Sequence, residues 1–296
     1  MTERKLVKAG STSLVVSLPK SWVDKNKLSA GMPVAVAEHH DGSIIVTVSE
    51  RKIEKPLKEI TISTDGKTIE TIQREITSAY LNNYSKMNIV GKNLGKFSTT
   101  IRKIVHDFVA VEITDQTADK ITASDLLNKS EVSVDKTLRR MDMTVRSMMI
   151  DAFTQPISIR DYDVNRMYFL LNKLLKEAVQ DTVAAKELKV NASEILGIWN
   201  LCVQIEALAD NTIELASLFK TVKTGKEAVK NVHKTLTSKY TQAMTAYFSH
   251  NKDAETILQS RTEMMKEISK TPAGVKEILS NMLTNVLNIA RSALDK

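Results

Sequence analysis

The sequence predicts a multidomain α+β protein with a small β unit first and an all-helical region last. Three observations carry this. Apolar residues alternate with period two in the first fifty positions, the period becomes 3.6 from about residue 130, and the stretch between mixes both patterns. The predicted domains are residues 1–52, 57–125 and 130–296, and 296 residues suffice for two or three separate cores. Aromatic residues are only 5% of the chain, so its twelve methionines and many leucines must fill those cores, which favours helix-on-helix packing.

In the first unit the strand-forming runs are Leu14-Val15-Val16 with Leu18, then Val34 with Val36, then Ile44, Val46 and Val48. Asp41-Gly42 is a hairpin signal, and Pro19 suits the first position of a short helix through Trp22 to Lys25. Residues 51–57 read as a linker. The middle segment reads as strand 59–63, helix 67–82, strand 86–90, helix 98–108, strand 109–114 and an extended piece at 120–123, with Gly66, Gly91 and Gly95 as turn residues. Six helices follow, over 131–153, 161–189, 192–220, 225–250, 252–270 and 273–295. Asn191 or Ser193 caps the third, His250-Asn251 ends the fourth, and Thr271-Pro272 opens the sixth. Short connections make neighbours antiparallel and suggest two three-helix bundles joined near residues 220–225.

The single cysteine, Cys202, lies in an apolar helical pattern and reads as a buried thiol that suits a reducing cytoplasm. No apolar run approaches the roughly 20 residues of a membrane span, and the first ten residues lack a signal-peptide core. A cytoplasmic location is therefore expected. Glycine-rich phosphate loops, nucleophile elbows and zinc spacings are not found, and no nucleophile has a plausible base, so an enzyme is not expected. Gly91 to Gly95 follows a strand and reads as an ordinary loop before an anion site. His39-His40 sits at a hairpin turn with its rings on opposite faces, a poor metal site, while His106, His233 and His250 are scattered. Trp22 is expected to plug the β core and Trp199 the first bundle.

Net charge is +7, and residues 1–27 hold six Lys/Arg against two acids, or +4 of it. Fifty residues with four short strands bury too little apolar surface to stand alone, so a second copy is expected to complete the core as a homodimer. A two-fold axis then duplicates the basic edge. Arg4, Lys5, Lys8 and Lys20, with Ser11 and Ser13 as hydroxyl donors, suit the backbone of double-stranded DNA. A solvated lysine face on a dimerisation module is the alternative.

Lys8, Gly10, Ser13, Val16, Leu18 and Pro19, followed by Leu28, Gly31 and Val34, stand in an order that resembles the AbrB/MazE/SpoVT swapped-hairpin DNA-binding family. The resemblance covers residues 3–49 and implies a small swapped-hairpin β-barrel shared between two chains.

Glu206, Asp210 and Glu214 recur at i, i+4 and i+8 and put three carboxylates in one row. Like charges at this spacing repel by a few tenths of a kcal/mol per pair. A hard cation bridging the oxygens would relieve that, with Asp142 and Asp151 of the first helix as further ligands; an acidic stripe facing solvent or lysines is the other reading. The run from Ile205 to Ala216 is similar to the L-E-R-I-G-D-H-A-x-N-I-A stretch of PhoU proteins, phosphate-signalling regulators built from two three-helix bundles. Glu206 and Asp210 match the family's acidic pair; Ala207, Ala209 and Glu214 depart from its Arg, Gly and Asn. In the sixth helix Ser280 and Thr284 replace the acidic pair, so a second metal site looks lost. The resemblance covers residues 130–295 and implies a divalent or ferric metal at the remaining row. Together the two resemblances imply a dimeric transcription regulator of phosphate uptake, of the kind found in archaea. The alternatives are an adaptor for a phosphate transporter or sensor kinase that uses the β unit only to dimerise, and a metal-storing protein.

Overall fold

Alternating apolar residues form strands over Val34–Glu38 and Ile44–Val48 where their period places them, while of the Leu14 to Leu18 run only Leu14 and Val15 lie in a strand. In the computed structural model, which describes residues 3–38, 43–48, 57–249 and 254–295, the chain divides into a unit over Met1–Pro56 and a unit over Leu57–Lys296. Strand β1 (Val7–Ala9) pairs antiparallel with β2 (Ser13–Val15) across a turn that uses Gly10 at φ +78°. Helix α1 (Lys20–Lys25) begins one residue later than expected. Pro19, with φ −58°, is its cap, and the Pro19 carbonyl accepts from the N–H groups of Trp22 and Val23. Past the helix end Lys27 takes φ +51°, and the Leu28 N–H returns to the Val23 carbonyl at 3.0 Å.

Strands β3 (Val34–Glu38) and β4 (Ile44–Val48) form a second antiparallel ladder that pairs Val34 with Val48. The two ladders are separate two-stranded sheets, and no closed barrel is formed among the described residues. The Asp41-Gly42 turn, the His39-His40 pair, most of the 51–57 linker and the His250-Asn251 break lie outside the described residues.

The second unit opens with β5 (Glu59–Ser63), α2 (Ile69–Leu81), β6 (Lys86–Val90), α3 (Leu94–His106), β7 (Val111–Gln116) and β8 (Lys120–Asp125). The sheet order is β5-β6-β8-β7, with only β5 and β6 parallel, because α2 supplies the crossover that parallel strands need. Helix α2 is capped by the Thr68 hydroxyl and buries Ile72, Ile76, Ala79 and Tyr80, a single face of a 3.6-residue period. Helix α3 starts four residues before the expected Ser98, so Gly95 belongs to its first turn and not to a loop. At Gly91 a Cβ would stand 2.0 Å from the Thr64 hydroxyl, so only glycine lets the ends of β5 and β6 approach. The next amide, Lys92 N–H, donates to the Asp65 carboxylate at 3.0 Å, so the protein's own acid takes this amide.

The helical part comprises α4 (Val134–Asp151), α5 (Ser158–Gln180), α6 (Thr182–Glu187), α7 (Ala192–Thr221), α8 (Lys226–Ser249), α9 (Ala254–Gln259), α10 (Arg261–Ser269) and α11 (Ala273–Leu294). Two expected helices are each split. Asp181 is extended, at φ −138° and ψ 111°, and its carboxylate accepts from the Val183 N–H, which ends α5 and starts α6. Ser260 separates α9 from α10. Asn191 and Glu194 form the full capping box of α7, at 3.0 and 2.8 Å. Helices α4, α5 and α7 pack together, α8 packs on α11, and the broad α7–α11 contact makes one continuous core through all of them. No helix among the described residues is long and apolar enough to cross a membrane.

The sheet and the helices meet at a polar seam inside this second unit. Tyr80 stacks on Phe108 at 4.4 Å, and Phe169 of α5 meets Phe108 edge-on at 5.5 Å. Beside them Lys173 is fully buried; its ammonium pairs with Asp125 at the end of β8 and lies 4.3 Å from the Tyr80 ring centre. Lys129 pairs with Glu177 at 2.5 Å and donates to the Asn83 side chain at 3.3 Å, while Asn83 donates to the Lys173 carbonyl.

Candidate functional site

The basic face of the first unit is built on its first hairpin. Arg4, Lys5, Lys8, Ser11, Ser13 and Lys20 are all exposed, and the Arg4 guanidinium donates to the Ser17 hydroxyl at 3.0 Å. Register sorts them by face. Lys8 pairs with Leu14 and Ala9 with Ser13, so Lys8 and Leu14 share one face of the ladder and Ser13 lies on the other with Val7 and Val15. Lys8 and Ser13 therefore lie on opposite faces of this hairpin.

The acidic row divides in a way the sequence does not anticipate. Glu206 is partly buried, whereas Asp210 and Glu214 are exposed. Glu206 is joined by Asp161, near the start of α5, which antiparallel packing of α5 on α7 brings alongside. Burial, then Asp210 and then Asp161, push the Glu206 carboxyl up to about 7. Burial also raises Asp161 and Asp210, with Asp210 adding to the effect on Asp161. One Asp161 carboxylate oxygen, Oδ1, is buried without a hydrogen-bond partner among the described residues. Asp161 is the residue sequence reasoning missed. Its signal is weak, since only the register of α5 against α7 links it to Glu206.

The proposed partners Asp142 and Asp151 are engaged elsewhere. Asp142 is buried and takes a two-pronged pair from Arg146, at 2.8 Å on each oxygen, and Asp151 pairs with Arg160 at 2.6 Å. On α11 the Ser280 and Thr284 hydroxyls donate to carbonyls one turn back, which satisfies them within the helix. Among the described residues no three His, Cys, Asp or Glu side chains are arranged to hold a metal ion. Oxygen donors suit a hard cation, but no such cluster is formed among the described residues, and burial with the neighbouring carboxylates shifts Glu206 toward its protonated form.

That assignment gives a pH-dependent stability. A carboxyl raised in the folded state favours folding at low pH and loses the benefit as pH rises from the unfolded value near 4.5 through 7. Allowing for its partial exposure, Glu206→Gln is expected to stabilise the protein by about 1–2 kcal/mol at pH 8 and by little at pH 4.5. Urea unfolding at the two pH values measures this, and an equal effect at both would show that Glu206 holds no proton.

Other candidates resolve simply. Cys202 is fully buried, with its thiol pushed up to about 12 by burial. Trp22 is half-buried, but Trp199 is 50% exposed on α7 and plugs no core. His106 is exposed and His233 is buried. Comparison with family models, curated proteins and solved structures gives no match.

Proposed function

We propose that this chain is a homodimeric DNA-binding regulator whose paired N-terminal units complete a shared swapped-hairpin barrel and grip a two-fold operator. The observation that carries this reading is the state of the first unit. None of its described side chains is buried, and apolar residues including Val7, Leu14, Val16, Val36 and Ile44 are 51–66% exposed. The described side chains form no core among themselves, and a second copy would bury them at about 25 cal/mol per Å2. Its exposed cations favour a polyanion as ligand. The link to phosphate uptake, and a reading of the helices as PhoU-like bundles that sense or transmit, rest on the resemblance of residues 205–216 and the order of the three segments. A dimer would present Arg4, Lys5, Lys8 and Lys20 twice.

A mobility shift with genomic fragments at several salt concentrations tests the proposal. If all these cations meet phosphates, log K is expected to fall with log salt at a slope of about −5 to −7, and Lys8→Ala to make it shallower by about 2. A sedimentation-confirmed dimer that binds no fragment would leave the β unit as a dimerisation module, and the chain as an adaptor.

A further inference from the structure

All of the excess positive charge sits in two short segments. Residues 1–27 carry +4, and residues 220–239 hold six lysines against Glu227 alone, or +5, so the other 249 residues are net −2. The second segment runs from the end of α7 through the turn and into the first half of α8. Lys220, Lys223, Lys226, Lys230 and Lys234 are exposed there. The last three step by four residues, which makes a row about 12 Å long on α8.

The fold holds these lysines in place without neutralising them. Gly225, at φ +78°, sets the turn between α7 and α8, and a Cβ there would stand 3.0 Å from the Pro272 ring beside the start of α11. Lys226 and Lys230 both lie over the Phe219 ring, 5.1 and 6.0 Å from its centre, and Phe219 packs 4.1 Å from Phe153. One aromatic face thus gathers two ammonium groups, and like charges so placed repel unless an anion joins them. Among the described residues no ion pair includes any of the six lysines. Elsewhere in the helical region Lys129, Arg139, Arg146, Arg160 and Lys173 each hold an acid, so the missing counter-ions are particular to this segment.

We infer that this row is a second contact surface for the phosphate backbone of double-stranded DNA, carried by the helical region itself. Lysine is a point charge that suits phosphate oxygens, and a row of them adds affinity without reading bases. A protein partner fits less well, because an interface has an apolar centre and residues 220–249 expose no large apolar side chain among those described. The same lack leaves nothing to enter a bilayer. The choice of DNA rests on the DNA-binding reading proposed above, whereas the unpaired row stands apart from it.

The test is fluorescence anisotropy of a labelled duplex of about 30 base pairs, titrated with the full chain between about 50 and 200 mM salt. Lys226→Gln with Lys230→Gln and Lys234→Gln is expected to make the slope of log K on log salt shallower by about 2.7 for each copy of the chain on the duplex. Two unrelated sequences should lose the same amount. Lys92→Gln with Lys96→Gln and Lys103→Gln removes equal charge from exposed positions in and beside α3 and is expected to leave the slope unchanged. If both triple variants change the slope alike, net charge explains it and the inference falls. It falls too if Lys8→Ala moves the slope and the row variant does not, which leaves the first unit as the DNA contact. The converse result would keep the row and overturn the first unit's part, and no binding at all would overturn both. Tighter row-dependent binding to polyglutamate or to phosphatidylserine vesicles than to the duplex would also sink the inference, assigning the row to an acidic protein or a membrane.

Discussion

Asp125→Asn is expected to cost about 3–5 kcal/mol of folding stability, because it leaves the Lys173 ammonium buried without its counter-ion. Lys173 has no exposed surface, and burial pushes its pKa down while Asp125 holds it up. Asparagine preserves shape and can still accept the Leu127 N–H that Asp125 now accepts at 3.1 Å, so the loss reports charge. Lys173→Met combined with Asp125→Asn is expected to recover most of it, since the buried ammonium is then gone and an apolar chain fills its place. Denaturant unfolding of the four proteins gives the coupling directly. A double variant as unstable as the sum of the singles would show that the pair is not mutually dependent. The sign with pH is also set. A lysine lowered in the folded state binds fewer protons than in the unfolded chain, so stability rises with pH toward 10, and the Asp125→Asn deficit should shrink there. Because the pair joins β8 to α5, hydrogen exchange in those two elements should quicken first.

Nothing in the local sequence marks Lys173 as buried. In Asn-Lys-Leu-Leu-Lys it sits where a helix normally shows lysine to solvent, and it is buried because α2 packs on α5 and Tyr80 and Asp125 close over it. The same reason separates what was legible elsewhere. Strands 59–63 and 86–90 match their expected limits, since β-branched alternation is a local signal, and so is the Asn191–Glu194 cap of α7. The split at Asp181 was missed because a carboxylate that captures an amide two residues on competes with the helix without changing the apolar period. Of the acidic site the sequence shows Glu206 and Asp210 through their spacing, but Asp161 belongs to another helix and enters only through tertiary register. Asp142 and Asp151 looked free as carboxylates, and each has an arginine to hold it, Arg146 one turn away and Arg160 across the turn to α5.

Acid is expected to weaken the fold through His233 by about 2–3 kcal/mol between pH 7 and pH 4.5. The ring is buried in α8, its Nε2 has no hydrogen-bond partner among the described residues, and Phe153 meets it edge-on at 4.9 Å. Burial pushes its pKa down to about 4, whereas the unfolded chain takes the proton near 6.5. The unfolded state therefore gains protons first, and stability is lost as pH falls through that window. Glu206 works the other way over nearly the same range, since its raised carboxyl favours the folded state as pH falls from 7 toward 4.5. The two contributions thus partly offset each other in the native protein, with the His233 loss the larger. Removing either should uncover the other. Glu206→Gln is expected to steepen the acid loss, and His233→Leu, which also removes an unsatisfied polar atom, to leave the Glu206 contribution, which rises as pH falls. Urea midpoints for wild type, both single variants and the double, taken at pH 4.5, 6 and 8, cancel the background of the other carboxylates in the differences. If His233→Leu changes stability equally at all three values, the imidazole titrates as freely in the fold as in the unfolded chain, and the assignment of a neutral buried ring is wrong.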